Sequence, residues 1–323
     1  DKSQEAKAMA TFQRYFPDAT IRVFYWDNAL PEITRRIRHN DVPDILLTGH
    51  TYVPFISQHS KEFGGVEPIF WDVRVLYVWG SKPQLPVKTW SETLNYLQTH
   101  TAFMSFPTTW TPDSFYNYLS FFNDQLPFWI SQTPFSSQNM VYTLKFLVML
   151  RKVYPGLFKK DPVEAFLKKE NYAIISGLWM YTILKQQPSE FSVFPVPESQ
   201  NGNREFKGAY VGIHFNNRAQ TQKAMQTLRS HNFQQETWET LNLLPTNIDL
   251  QGELSKDPIL ASLLSICQSN RWASPIEPKV LSDRIEVLNY LLRKETDPEK
   301  IKESRVLKFF NNKLYFRLMK WFN

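Results

Sequence analysis

Apolar side chains recur at helical spacing at the start of the chain. Ala6, Met9, Phe12 and Phe16 share one face, which predicts a helix over residues 3–16. Pro17 and Asp18 end it, and residues 20–25 alternate as a strand does. A second helix is expected over 30–38. The near-continuous apolar run 42–47 then suits a parallel strand buried on both faces. Strand, helix, strand in this order predicts an α/β sheet. Residues 67–79 read as a further strand system. Thr89 followed by Glu92 forms the reciprocal cap that opens a helix. Helical spacing returns over 112–122 and 137–153. An amphipathic helix over 163–169 then runs into a short apolar strand, 172–175. That strand breaks at Ser176-Gly177 and delivers Trp179 and Tyr181 at the start of a new helical pattern. Residues 191–197 form an extended piece held by two prolines, 210–215 return to strand, and from Gln220 onward the pattern is mostly helical. There is no internal repeat and no low-complexity segment.

Composition changes this picture little. At 323 residues the chain is long enough for two domains, and 42% hydrophobic with 21% charged residues is ordinary for a globular protein. Aromatic content is high, with 10 Trp, 14 Tyr and 25 Phe, so rings are available for stacking on a ligand as well as for packing. The net charge of +6 is scattered, apart from Arg35-Arg36-Arg38 and the last thirty or so residues. The cluster reads as a solvated helix face. No recognition helix, zinc knuckle or aromatic RNA-binding signature accompanies it, so nucleic acid is not an expected partner. The single cysteine, Cys267, lies in an apolar run and reads as a small buried hydrophobe. No stretch reaches the roughly 18 apolar residues that span a bilayer. The chain begins without Met or an apolar leader, as a mature or trimmed form does.

Most enzyme chemistry finds no support. Only 10 glycines occur and none forms a phosphate-cradling loop. His50 and His59 are too far apart for a helical metal pair, and no Gly-x-Ser-x-Gly elbow exists. Paired carboxylates that meet only in space stay open. Aromatic-rich polar segments without an acid/base constellation favour binding over catalysis, with no cofactor and no metal expected.

Four blocks, in order, resemble the extracellular solute-binding proteins of ABC importers, in the branch of maltose-binding protein. Phe12-Gln-Arg-Tyr-Phe-Pro-Asp-Ala-Thr-Ile-Arg-Val23 is similar to that family's first helix and following strand, and it leads to Val42-Pro-Asp-Ile-Leu-Leu47. Val75-Leu-Tyr-Val-Trp79 with Pro86-Val-Lys-Thr-Trp-Ser-Glu-Thr-Leu94 resembles the hinge strand and the helix after it. Tyr172-Ala-Ile-Ile-Ser-Gly-Leu-Trp-Met180 resembles the segment ending Gly-Pro-Trp, with Leu178 where proline is usual. The fourth block runs from Phe206-Lys-Gly-Ala-Tyr-Val-Gly-Ile213 through Leu244-Pro245 and Lys256-Asp257-Pro258 to Ser274-Pro-Ile-Glu-Pro278. Family members begin with a strand ahead of the first helix, and this chain starts at the helix, so that strand is expected to be absent.

The resemblance implies a two-lobed periplasmic-binding-protein-like α/β fold of type II, with hinged lobes, each a central sheet flanked by helices. Residues 1–73 with 210–268 would form one lobe, and 74–209 with 269–323 the other. It implies capture of a carbohydrate-like solute between the lobes and delivery to the membrane permease of an ABC importer. The protein would act as a monomer, in the periplasm or as a cell-surface lipoprotein. Pyranose faces suit aromatic rings, and hydroxyls need charged or amide partners. The positions implied as ligand contacts are His50, Tyr52, Trp71, Asp72, Arg74, Trp110, Trp179, Tyr181 and Arg284. Structural alternatives stand beside several of them. His50 reads equally as a satisfied loop histidine, Trp71 and Trp179 as core, and Asp72 with Arg74 as a pair on one strand face. The family's last stacking aromatic falls near Ser282-Asp283-Arg284, where no ring exists, which argues against an identical maltodextrin specificity. A second function is a ligand-sensing extracytoplasmic domain of a membrane-anchored signalling protein. It is motivated by the mixed aromatic and basic residues of 309–323.

Overall fold

The protein is described by a computed structural model over residues 2–24, 26–57, 64–81, 85, 87–111, 114, 117–118, 145, 147–198, 205–269, 271–272, 285–286, 288–290, 292–294 and 297. Helices α1 (Lys2–Tyr15) and α2 (Trp26–Arg38) lead to strand β1 (Ile45–Gly49), a 3-10 turn (His50–Tyr52) and α3 (Val53–Ser57). Strands β2 (Gly65–Val73) and β3 (Val75–Trp79), broken only at Arg74, are followed by α4 (Trp90–Thr99) and β4 (Phe106–Pro107). Then come β5 (Phe158–Lys159), α5 (Pro162–Leu167), β6 (Ala173–Ser176), α6 (Trp179–Lys185) and β7 (Phe191–Phe194). The run closes with β8 (Glu205–His214), α7 (Ala219–Arg229), α8 (His231–Leu241), β9 (Leu244–Pro245), α9 (Ile248–Leu254), α10 (Pro258–Ser269) and β10 (Arg271–Trp272).

The chain packs into two compact units. The first holds Asp1–Val75, Gly177–Pro188 and Phe206–Pro275, and the second holds Leu76–Ser176, Ser189–Glu205 and Ile276–Asn323. This grouping differs from the expected division chiefly at Gly177–Pro188. Strands β6 and β7 on either side of that stretch belong to the second unit, yet α6 packs with the first. The physical reason is its buried face: Met180, Tyr181 and Leu184 are all enclosed, and Tyr181 stacks on Trp238 of α8.

In the first unit β8 lies between β1 and β2, antiparallel to both, with β9 beyond β2 and β10 also paired to β8. The parallel strand expected over 42–47 is therefore antiparallel and begins at Ile45. Its continuous apolar run arises because both faces of the sheet are covered. Leu46 joins Ala29, Ile33 and Ile37 of α2 with Ala209, Val211 and Ile213 on one face. Ile45 and Leu47 pack with Ile69, Phe70, Met225, Leu228 and Phe233 on the other. Residues 20–24 alternate in sequence but join no strand ladder among the described residues, and Val23 is 46% exposed.

Helix α1 docks through aromatics. The Phe233 ring is met edge-on by Phe12 at 5.2 Å and by Tyr15 at 5.1 Å, and it lies 6.2 Å from Phe70 of β2. Beside it Gln234, fully buried, donates to the carbonyls of Ile69 (2.8 Å) and Leu228 (3.1 Å) and accepts from Asn247 N–H (2.8 Å). A buried amide with both ends satisfied ties β2, α7 and the start of α9 together at little desolvation cost.

The second unit centres on β3, flanked by β6 and β7, with a small parallel pair β4–β5. All five β3 side chains are buried. Trp79 stacks on Phe166 at 4.9 Å and donates its indole N–H to the Phe166 carbonyl, 2.8 Å away. The expected cap at Thr89 is present in both directions, Glu92 N–H to Thr89 Oγ1 and Thr89 N–H to the Glu92 carboxylate. Cys267 is buried, as its apolar run predicts. Residues 147–153 are helical, as expected within 137–153, whereas the helix expected over 112–122 lies largely outside the described residues, as do 274–278 and 309–323. Among the described residues no helix is long and apolar enough to cross a membrane.

The arginine cluster of α2 is largely matched by carboxylates. Arg35 and Arg36 both donate to Glu32, and Arg36 and Arg22 donate to Asp41. The Arg35 hydrogen bond is the main cause holding the Glu32 carboxyl down to about 2, and Arg36 foremost also lowers Asp41.

Two outcomes follow. Phe233→Ala should lose about 3–5 kcal/mol in urea unfolding, because it empties a site where four rings meet. Glu32 has a folded-state pKa below its ordinary value, so its contribution is complete above about pH 4.5 and disappears as pH falls toward about 2. The urea midpoint should therefore fall more steeply across that window in the wild type than in Glu32→Gln.

Candidate functional site

Strand β1 ends at Gly49, opposite Tyr210 of β8. The chain then tightens into the His50–Tyr52 turn, and the His50 ring takes over where the strand stops. Its Nδ1 accepts the Ala209 N–H at 3.2 Å, so the ring proton of the neutral imidazole sits on Nε2. Across β8, Asp72 of β2 is paired in register with Gly208. A β-carbon built on Gly208 would meet His50 Cε1 at 3.2 Å and Asp72 Cβ at 3.5 Å, so both side chains lie over this glycine.

Asp72 leads to Arg74, at the break between β2 and β3. The Arg74 Nη1 donates to both Asp72 oxygens at 3.0 Å, with the two side chains 19% and 32% exposed. The guanidinium tip lies against the backbone of Gly177: a β-carbon there would be 2.6 Å from Nη1 and 3.2 Å from Cδ1 of Trp179. Trp179, the first residue of α6, is 41% exposed. His50, Asp72, Arg74 and Trp179 thus form one continuous group within the first unit, linked through Gly208 and Gly177. It offers a hydrogen-bond donor and acceptor pair without net charge beside an open indole face. Such a set can hold hydroxyls and a flat apolar ring face, and it carries no activated nucleophile. Among the described residues no group of three or more His, Cys, Asp or Glu could hold a metal ion.

The other expected contacts lie elsewhere. Tyr52 is 7% exposed and belongs to the core between α2 and the sheet, with Trp71 packed against the same core. Tyr181 is 2% exposed, stacks on Trp238 at 6.1 Å, and its hydroxyl is pushed up to about 12 by burial and then by Asp257. Trp110, in the second unit, is 1% exposed and packs edge-on against Tyr118. Its backbone N–H and carbonyl are both held by the Asn289 amide, at 2.7 and 2.8 Å. Arg284 lies outside the described residues. The two glycines are the positions that sequence reasoning passed over. In a chain with only 10 glycines, the placing of one directly after strand β6 and one inside strand β8 is the signal that could have marked them.

Leu178, standing where the resembled family has proline, has φ −59°, inside the range that a proline ring fixes. The backbone is thus already in the proline conformation, held by burial of the leucine, which is 7% exposed. Leu178→Pro should consequently be near neutral, with a melting temperature within about 4 °C of wild type, since the smaller apolar contact is offset by a stiffer unfolded chain.

By sequence, no protein family and no curated protein matches this chain. By structure it is similar to several solved binding proteins. The maltose/maltodextrin-binding domain MalE from Bdellovibrio bacteriovorus, bound to maltotriose, superposes with a TM-score of 0.68 at 13% identity, covering 97% of this chain and 96% of that one. The GacH receptor of Streptomyces glaucescens GLA.O, studied unliganded and with acarbose, gives 0.66 at 14% identity over 97% and 95%. An ABC transporter solute-binding protein from Thermotoga lettingae TMO, bound with α-D-tagatose, gives 0.61 at 16% over 93% of each chain. At these identities it is the backbone that is shared, and the chain has the α/β fold of the maltodextrin-binding-protein-like solute-binding proteins.

Proposed function

We propose that this protein is an extracytoplasmic solute-binding receptor that captures a carbohydrate-like ligand and delivers it to the permease of an ABC-type importer. The observation that carries the reading is the open Trp179 indole beside the Asp72–Arg74 pair. In a sugar complex the indole would cover the C–H face of a pyranose, while Arg74 and the His50 Nε2–H donate to hydroxyls and Asp72 accepts from them. The fold supports the same reading, because solved proteins that share it are bound to maltotriose, acarbose or tagatose. Binding without turnover belongs to the same reading, supported by solved proteins of this fold that are a receptor and a maltodextrin-binding domain. Tyr52, Trp71 and Tyr181 would then act from beneath, holding the strand ends and α6 that carry the contacts.

Thermal denaturation with maltotriose, acarbose, tagatose, amino acids and sugar phosphates tests the proposal. A sugar at a hundred times its dissociation constant should stabilise the fold by about 2.7 kcal/mol. Stabilisation by a non-sugar class alone would sink the carbohydrate claim. Trp179→Ala should weaken sugar binding by about tenfold or more, the loss of a stacking contact worth roughly 1.4 kcal/mol, while the melting temperature hardly moves. A fall in melting temperature like that of a core mutant would instead assign Trp179 to packing.

A further inference from the structure

We infer that Gly177 and Gly208 are positioning residues of the binding site. Their missing side chains hold Arg74, Asp72 and His50 in the arrangement that meets the ligand. The inference rests on the binding role proposed above and concerns residues that would not themselves touch a sugar.

At Gly177 an added β-carbon would lie 2.6 Å from Arg74 Nη1 and 3.3 Å from its Cζ. No real contact is that short, so the guanidinium has to leave. It is the far end of a flexible side chain, so it can swing away without unfolding anything. In doing so it gives up both 3.0 Å hydrogen bonds to Asp72. Trp179 Cδ1, 3.2 Å from the same point, has to yield as well. One methyl group therefore disturbs the donor, its carboxylate partner and the stacking ring together.

Gly208 acts at the other end of the pair. A β-carbon there would crowd His50 Cε1 at 3.2 Å, while His50 Nδ1 at 3.4 Å and Asp72 Cβ at 3.5 Å would be ordinary contacts. The imidazole is the movable partner, and its hydrogen bond from Ala209 N–H is already at the long end of normal at 3.2 Å. A shift of a few tenths of an ångström stretches that bond beyond the normal range and loosens the ring from the Ala209 N–H of β8. Neither glycine has a positive φ, so backbone conformation is not what excludes a side chain. Gly252 supplies the contrast: nothing lies within 4 Å of its would-be β-carbon.

The test compares Gly177→Ala, Arg74→Ala and the double variant, with Gly208→Ala and Gly252→Ala alongside. Maltotriose affinity is read by calorimetry, melting temperature by circular dichroism, and the Arg74 Nε–H cross-peak by NMR, assigned from its loss in Arg74→Lys. Gly177→Ala should weaken maltotriose at least about tenfold with a melting temperature within about 3 °C of wild type. On the Arg74→Ala background the same substitution should change affinity less than about twofold, since the group it displaces is gone. Gly208→Ala should weaken binding similarly, and Gly252→Ala should leave affinity unchanged. Equal losses with and without Arg74, or no loss in Gly177→Ala, would overturn the inference. The NMR arm decides without any ligand: the Arg74 cross-peak should move in Gly177→Ala, and an unmoved peak rejects the positioning role. A wild-type protein that binds no sugar, with the peak moved, would fail the proposed function alone.

Discussion

Strand β8 is hydrogen-bonded to β1 along one edge and to β2 along the other, and both faces of the resulting sheet are covered by apolar side chains. A strand paired along both edges leaves little room for a register error, even though Tyr210 on it is 36% exposed. Ala209, Val211 and Ile213 point to one core, and Gly208 and Gly212 alternate with them. At Gly212 the absent side chain makes room for Met225 and Ile69, and at Gly208 for His50 and Asp72. The same alternation thus fills a core at Gly212 and clears a floor for polar groups at Gly208. The register with β2 is what puts Asp72 beside Gly208, so the site is a by-product of correct pairing.

The parts of this fold that were legible in the sequence are the parts decided locally. The reciprocal cap of Thr89 and Glu92 spans three residues and needs no distant partner. The strand break at Ser176-Gly177 and the helix that Trp179 opens were readable for the same reason. Strand direction was not. The run at residues 42–47 is apolar because two faces are covered, and an antiparallel strand between two cores produces the same run as a parallel one. Residues 20–24 have the alternation of a strand, but a ladder also needs an edge to join.

The candidate site divides along the same line. Asp72 and Arg74 share a strand face by simple period, so their pairing could be anticipated. Sequence could not separate an aromatic that meets ligand from one that packs, because both are large and flanked by apolar residues. Exposure is what distinguishes them in the structure: Trp179 is open while Tyr181, Tyr52 and Trp110 are enclosed, which is why Trp179 is the ring proposed for the ligand. Gly177 was legible as a strand break, but neither it nor Gly208 could be read as part of the site, because what matters there is the lack of a side chain, and an absence leaves no periodic trace.

The placement of β8 also has a consequence in time. Strand β2 is complete at Val73, but β8 starts only at Glu205. At ordinary rates of synthesis, about 5–20 residues per second, roughly 7–26 s separate the two. Throughout that interval β1 and β2 have no strand to lie between them, and Leu46, Ile69 and Phe70 lack the surface that later covers them. An emerging chain wired in this way presents sticky strand edges for longer than a small sheet takes to form. Its safe production therefore depends on whatever shields those edges until His214, the last residue of β8, has left the ribosome.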